Sequence, residues 1–261
     1  MSMQKHKQSQ VTGVSKLYSP GAASFGQLQD ILWTTFGDDL KSDTLSSASA
    51  QFARKAKDWK YDVLVEFPEI DLNTSKLRDK RPEEANFCQV TLRIKADGNG
   101  ASEDNTAYDP FLHLTVSIIV NARSDKSAVK GEFKCAWHLD SHPPKDATKH
   151  DPEKDNFMHP RYHWQYGGSE ITGNADMTFG NHLLVTSPRL NHMPLDIVLA
   201  IDFVISNYYS KTWKELKKNP QYINLVQESR RRFWKPYITW IVENWPSPES
   251  SLASYSFPFL V

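Results

Sequence analysis

Cysteine is nearly missing from this chain, with only Cys88 and Cys135 among 261 residues. Two thiols without CxxC spacing exclude a cysteine-based zinc site, though a single disulfide stays open. A continuous apolar run of 18 residues is missing too, which excludes a hydrophobic membrane helix. The opening MSMQKHKQSQ is polar and has no apolar signal region. The expected compartment is therefore the cytoplasm, with reduced thiols. Net charge is absent, with 31 basic against 31 acidic residues. That balance argues against a chain that binds nucleic acid by bulk electrostatics. No internal repeat, low-complexity tract or βαβ alternation occurs, so solenoid and doubly wound folds are set aside.

What the sequence does contain is a set of alternating strands bracketed by apolar helices. Residues 1–23 read as a flexible polar leader, 24–245 as one α+β domain and 246–261 as a tail. Ser24 and Gln27 fit a capping box. Phe25, Leu28, Leu32, Phe36 and Leu40 follow at helical spacing. A Ser- and Asp-rich loop leads to a short helix near 48–58. Strand patterns then run over 61–67, 87–96 and 110–123. In the second, Cys88, Val90, Leu92 and Ile94 share one face, with Gln89, Thr91, Arg93 and Lys95 opposite. Two histidine-bearing segments and a short apolar strand over 182–186 complete the predicted antiparallel meander of about five to six strands. The last third switches to helical period. LDIVLAIDFVISNYY is apolar nearly all round and should be deeply buried. A basic connector over 211–220 precedes a helix over 222–242, which Pro236 should kink or split. Asp202 interrupts the apolar helix. A buried carboxylate requires a partner, and Arg161 or Arg189 is the expected one.

Chemistry concentrates between Phe133 and Gly168. This stretch holds five of the nine histidines, His138, His142, His150, His159 and His163. Side chains alternate along a strand, so His138, Asp140 and His142 share a side opposite Trp137 and Leu139. In the next segment His159, Arg161, His163 and Gln165 oppose Pro160, Tyr162, Trp164 and Tyr166. If the two polar faces coincide, His138, Asp140, His142, His159 and His163 are candidate ligands for a divalent metal such as zinc. His138, Asp140 and His163 would then be the catalytic candidates of a metal-dependent hydrolase, with Asp140 as base. His138 and His142 lie about 13 Å apart on an extended strand. Both would ligate one ion only if Pro143-Pro144 bends the chain. The competing reading needs no cofactor, with histidines on a solvated strand face and aromatics as the hydrophobic back of the sheet.

The order helix, meander, His159-Pro160, then two C-terminal helices resembles the ubiquitin-conjugating (E2-like, RWD-like) α+β fold over roughly 50–240. That family carries an H-P-N motif after its last meander strand and a catalytic cysteine shortly beyond. Here Arg161 replaces the asparagine and no cysteine follows. The resemblance therefore implies a non-catalytic module that binds a protein partner, since a thioester needs a thiol. The text WHLDSH…HPRYHWQYGG…SPRLNHMPLDIVLAIDFVISNYY also resembles uncharacterised bacterial proteins associated with ubiquitin-like conjugation genes, which implies a bacterial, defence-linked setting. Arg161, Arg189, Arg230, Arg231 and Arg232 are candidate contacts for a partner or an anion.

A third reading is nucleic-acid contact. Between Lys211 and Lys235 stand eight basic residues against two acids, Glu215 and Glu228. Trp213 and Trp234 could stack on bases beside them.

Overall fold

The computed structural model describes residues 24–54, 58–75, 77, 85–99, 109, 111–124, 133–141, 160–167, 171 and 189–244. The fold is α+β, as the alternation predicts. Helix α1 covers 24–36 and is followed by a 3-10 turn at Gly37–Asp39 and by α2, Asp43–Arg54. The strands are β1 (Asp58–Glu66), β2 (Ile70–Asp71), β3 (Phe87–Asn99), β4 (His113–Arg123), β5 (Phe133–Ser141), β6 (Tyr162–Tyr166) and β7 (Leu190–Asn191). Three helices close the chain, α3 (Ile197–Tyr208), α4 (Ser210–Leu216) and α5 (Pro220–Asn244).

The strands form one sheet in the order β1-β3-β4-β5-β6-β7, with β2 also on β3, and every pairing is antiparallel. Register places Val63, Ile94, Val116, Leu139 and Trp164 on one inner row running across the sheet. All five are buried. Burying each side chain of this size removes it from water at a gain of about 1.5–3 kcal/mol.

Helix α3 is the main cover of that face, and seven of its residues are buried. Phe203 stacks on Trp164 with centroids 5.0 Å apart. Helix α5 adds Phe233, stacked on Phe111 at 5.0 Å, and Tyr237, edge-on to Tyr162 at 5.1 Å. Between α3 and α4, Tyr209 stacks on Phe67 and donates its hydroxyl to the Pro68 carbonyl at 2.6 Å.

Several boundaries differ from the sequence reading. α2 begins at Asp43, inside the expected loop, where an acid suits the positive helix N-terminus. The basic connector is helix α4 over most of its length. Trp213 packs on the core and Leu216 is buried, so two apolar residues suffice to seat it. Pro236 does not split α5, which runs on to Asn244. Strands β2 and β7 are two residues each and were not anticipated. The expected strand over 182–186 lies outside the described residues, as do the leader and the tail. No helix among the described residues is long and apolar enough to cross a membrane.

Asp202 has other partners than those expected. Its Oδ1 accepts the Trp213 indole N–H at 3.0 Å and the Tyr222 hydroxyl at 2.8 Å. Its other oxygen lies 3.8 Å from Arg230. One carboxylate thus joins α3, α4 and α5. Replacing it should strand one buried donor, Tyr222, and one half-buried donor, Trp213, each costing about 1–3 kcal/mol. Asp202→Ala is expected to lower unfolding stability by ~2–4 kcal/mol in urea titrations; a change below ~1 kcal/mol would show that the junction is carried by packing alone.

Asp196 caps α3, accepting the Leu199 N–H at 3.0 Å while fully buried. Burial pushes its carboxyl above the ordinary range, against the opposing hydrogen bond from the Leu199 N–H. The native state therefore holds this proton more tightly than the unfolded chain does. The stabilisation is fully present below the unfolded pKa, about 4, and is lost as pH rises through the native value. Asp196→Asn keeps an acceptor at the cap and cannot ionise. Its urea midpoint, followed upward from about pH 4, should lack the decline with pH that Asp196 gives the parent. Parallel curves would refute the assignment.

Candidate functional site

The outer face of the sheet is polar because every second residue of its strands is polar. Toward the β1 edge, Lys60, Asp62, Leu64, Arg93, Lys95 and Thr115 are all exposed. Asp62 accepts two hydrogen bonds from Arg93, at 3.3 and 3.0 Å, and Lys95 lies 3.4 Å from it. The Arg93 hydrogen bonds hold the Asp62 carboxyl below its usual range. Lys60 stands directly across from Asp97, so cations and acids alternate over this part of the face.

Toward β6 lie the histidine-segment residues. Asp140 pairs across strands with His163, and His138 with Gln165. Directly paired residues point to the same side, so the two polar faces coincide as the alternation requires. His138 Nε2 is 3.3 Å from the Asp140 carboxylate. His163 is buried, and its Nδ1 stands 3.1 Å from the Pro160 carbonyl. A carbonyl can only accept, so Nδ1 carries a proton. His142 and His159 lie outside the described residues. Among the described residues, no three His, Cys, Asp or Glu side chains stand close enough together to hold one metal ion. His138, Asp140 and His163 are thus brought to one face but do not form a closed ligand set.

Arg161 is not on the surface. It is 2% exposed, and its guanidinium donates to the Asp109 carboxylate and to the Phe111 carbonyl. The Tyr162 hydroxyl donates to the same Asp109. Arg161, next to Pro160, therefore forms a buried ion pair. Sequence reasoning missed Asp109, a lone acid 52 residues away with no periodic signal. Gly167 follows β6 with φ of +93°, and its N–H donates to the Ala136 carbonyl at 2.8 Å.

The basic residues of the C-terminal helices are largely engaged within the chain. Arg230 lies over the Trp234 ring at 5.0 Å besides its approach to Asp202. Arg231 pairs with Glu228, and Lys218 with Glu215 at 2.8 Å. The indole N–H of Trp213 goes to Asp202 and that of Trp234 to the Pro194 carbonyl at 2.7 Å. Arg232 is half-buried beside Phe233, and Arg189 is half-buried ahead of β7.

Both thiols lie on the inner face. Burial pushes Cys88 up to about 11 and also raises Cys135, against hydrogen bonds from Tyr166 and Trp137. Strand β4 separates their strands and Cys135 is offset by two residues from the position across from Cys88, so their backbones are more than about 9–10 Å apart, beyond disulfide reach. Neither is a nucleophile poised in an electropositive cleft.

No family model, curated protein or solved structure matches the chain.

Thiol chemistry gives a direct check. Ellman's reagent should count two free thiols per unfolded chain, while native Cys88 should react at least about a hundredfold more slowly than free cysteine at pH 7.5. Fast native labelling of either residue would reopen a nucleophilic role.

Proposed function

We propose that this chain is a non-catalytic, E2-like protein-binding module of a bacterial ubiquitin-like conjugation or defence system, working in the cytoplasm. The observation that carries this reading is the outer sheet face, where Lys60, Leu64, Arg93 and Lys95 stand exposed with the acids Asp62, Glu66 and Asp97 set among them. A sheet face of interspersed opposite charges around an exposed leucine suits docking to a protein of complementary charge pattern. The chemistry of the thiols supports the same reading. Both are raised by burial, so the nucleophile that a conjugating enzyme needs is not supplied.

A metal-dependent hydrolase is the second reading, favoured by the cross-strand Asp140–His163 pair beside His138. The described residues fit it only in part, since they offer no third ligand within reach of one ion.

Purified bacterial ubiquitin-like proteins and their activating enzymes are the probes that separate the two. One of them should bind with roughly micromolar affinity. Arg93→Glu with Lys95→Glu should weaken that binding by about tenfold or more, while Arg231→Glu leaves it unchanged. No binding to any of them, together with stoichiometric zinc and an esterase activity abolished by Asp140→Asn, would replace the module with the hydrolase.

A further inference from the structure

The basic run of the last third is divided by the fold into spent and unspent charge. Lys217 lies 4.0 Å over the Trp213 ring, Lys218 grips both Glu215 oxygens at 2.8 Å, and Arg230 approaches Asp202 at 3.8 Å. Arg231 holds Glu228, and Arg232 sits over Phe233 at 5.9 Å. Three cations of the run, Lys211, Lys214 and Lys235, have neither an acid nor a ring as partner among the described residues. Two of these three line the same cleft.

That cleft has a volume of about 540 Å³ and is bounded by Thr35 of α1 and by Lys211, Thr212, Lys214 and Glu215 of α4. Lys211 and Lys214 are three residues apart on one helix, which sets their side chains on one face, about 5–6 Å apart at Cβ. The one acid in the lining, Glu215, would repel an anion, but both of its oxygens are bound by Lys218. The Thr35 hydroxyl proton is held by the Ile31 carbonyl at 2.6 Å, so Thr212 is the hydroxyl left to donate.

We propose that the cleft between α1 and α4 binds the phosphoryl groups of a small polyphosphate-bearing molecule, with Lys211 and Lys214 as the charge contacts and Thr212 as a hydroxyl donor. Two cations this close match one or two adjacent phosphates, where lysine acts as a point charge. They do not match a nucleic-acid strand, which needs cations along its length. The cations that would extend the track are spent, and the indoles of Trp213 and Trp234 are tied by their N–H groups to Asp202 and Pro194. The site does not rest on the sheet-face reading.

The test uses inorganic tripolyphosphate in calorimetric titration of the full chain at about 150 mM salt, where exposed charges more than ~8 Å apart are largely screened. Saturable one-to-one binding is expected. The double variant Lys211→Gln/Lys214→Gln should weaken it by about tenfold or more, because two close charge contacts are lost. Lys235→Gln, an unspent cation outside the cleft, should change it less than about twofold. These lysines are exposed, so folding should be unaffected, and circular dichroism checks that. Absence of saturable binding overturns the proposal, as does an equal loss in Lys235→Gln. A single-stranded oligothymidylate that binds more tightly than tripolyphosphate would overturn it in favour of a nucleic-acid surface.

Discussion

A helix that is apolar on nearly every side can exist in water only if it is enclosed, and α3 imposes that condition on the rest of the molecule. Its residues Ile197 to Ile201, Val204 and Ile205 are buried. One enclosing wall is the inner row of the sheet, and Phe203 on Trp164 is the direct contact. The single acid of the helix interior then decides the remaining geometry. Asp202 cannot be enclosed without hydrogen bonds. It finds them in Trp213, Tyr222 and Arg230, which fixes α4 and α5 against α3. The helical layer is thus held by burial and oriented by one carboxylate.

That layer also explains how the two faces of the sheet came to differ. The inner face is filled by aromatic and branched side chains and contains both thiols. Polar groups inside, such as Asp196, Asp202 and Arg161, are each tied by hydrogen bonds or an ion pair. On the outer face, Asp62 with Arg93 and Lys95 marks the open end, while His163 marks an end where even a polar ring is buried. Asp109 and Arg161 form a deeply set ion pair near that end. Its function is positional, since removing either partner of a buried pair leaves an uncompensated charge, at a cost of about 3–5 kcal/mol.

Much of this was legible in the order of residues. The period-two pattern of Cys88, Val90, Leu92 and Ile94 marks β3, and the same alternation places His138, Asp140 and His163 on one face. Long, strongly periodic segments carry their own signal. Two-residue strands such as β2 and β7 are too short to have a period. Helix α4 was read as a connector because Lys211, Lys214, Lys217 and Lys218 outweigh Trp213 and Leu216 in the text. The burial of Arg161 depends on Asp109, and no local pattern announces a contact between residues so distant in sequence. The same holds for Asp202, whose partners come from helices that follow it rather than from the arginines that precede it.

The order in which the elements occur along the chain has a consequence for synthesis. The strands pair with near neighbours in sequence, β3 with β4, β4 with β5 and β5 with β6. Such local hairpins can form soon after each strand leaves the ribosome. Their inner face, however, is covered by α3 and α5, and α5 ends at Asn244, almost eighty residues after β6. At about 5–20 residues per second, the row from Val63 to Trp164 waits roughly 4–16 s for its complete cover. During that interval the nascent chain presents a broad apolar sheet surface, and helper proteins that shield such surfaces would meet this molecule before its own last helix does.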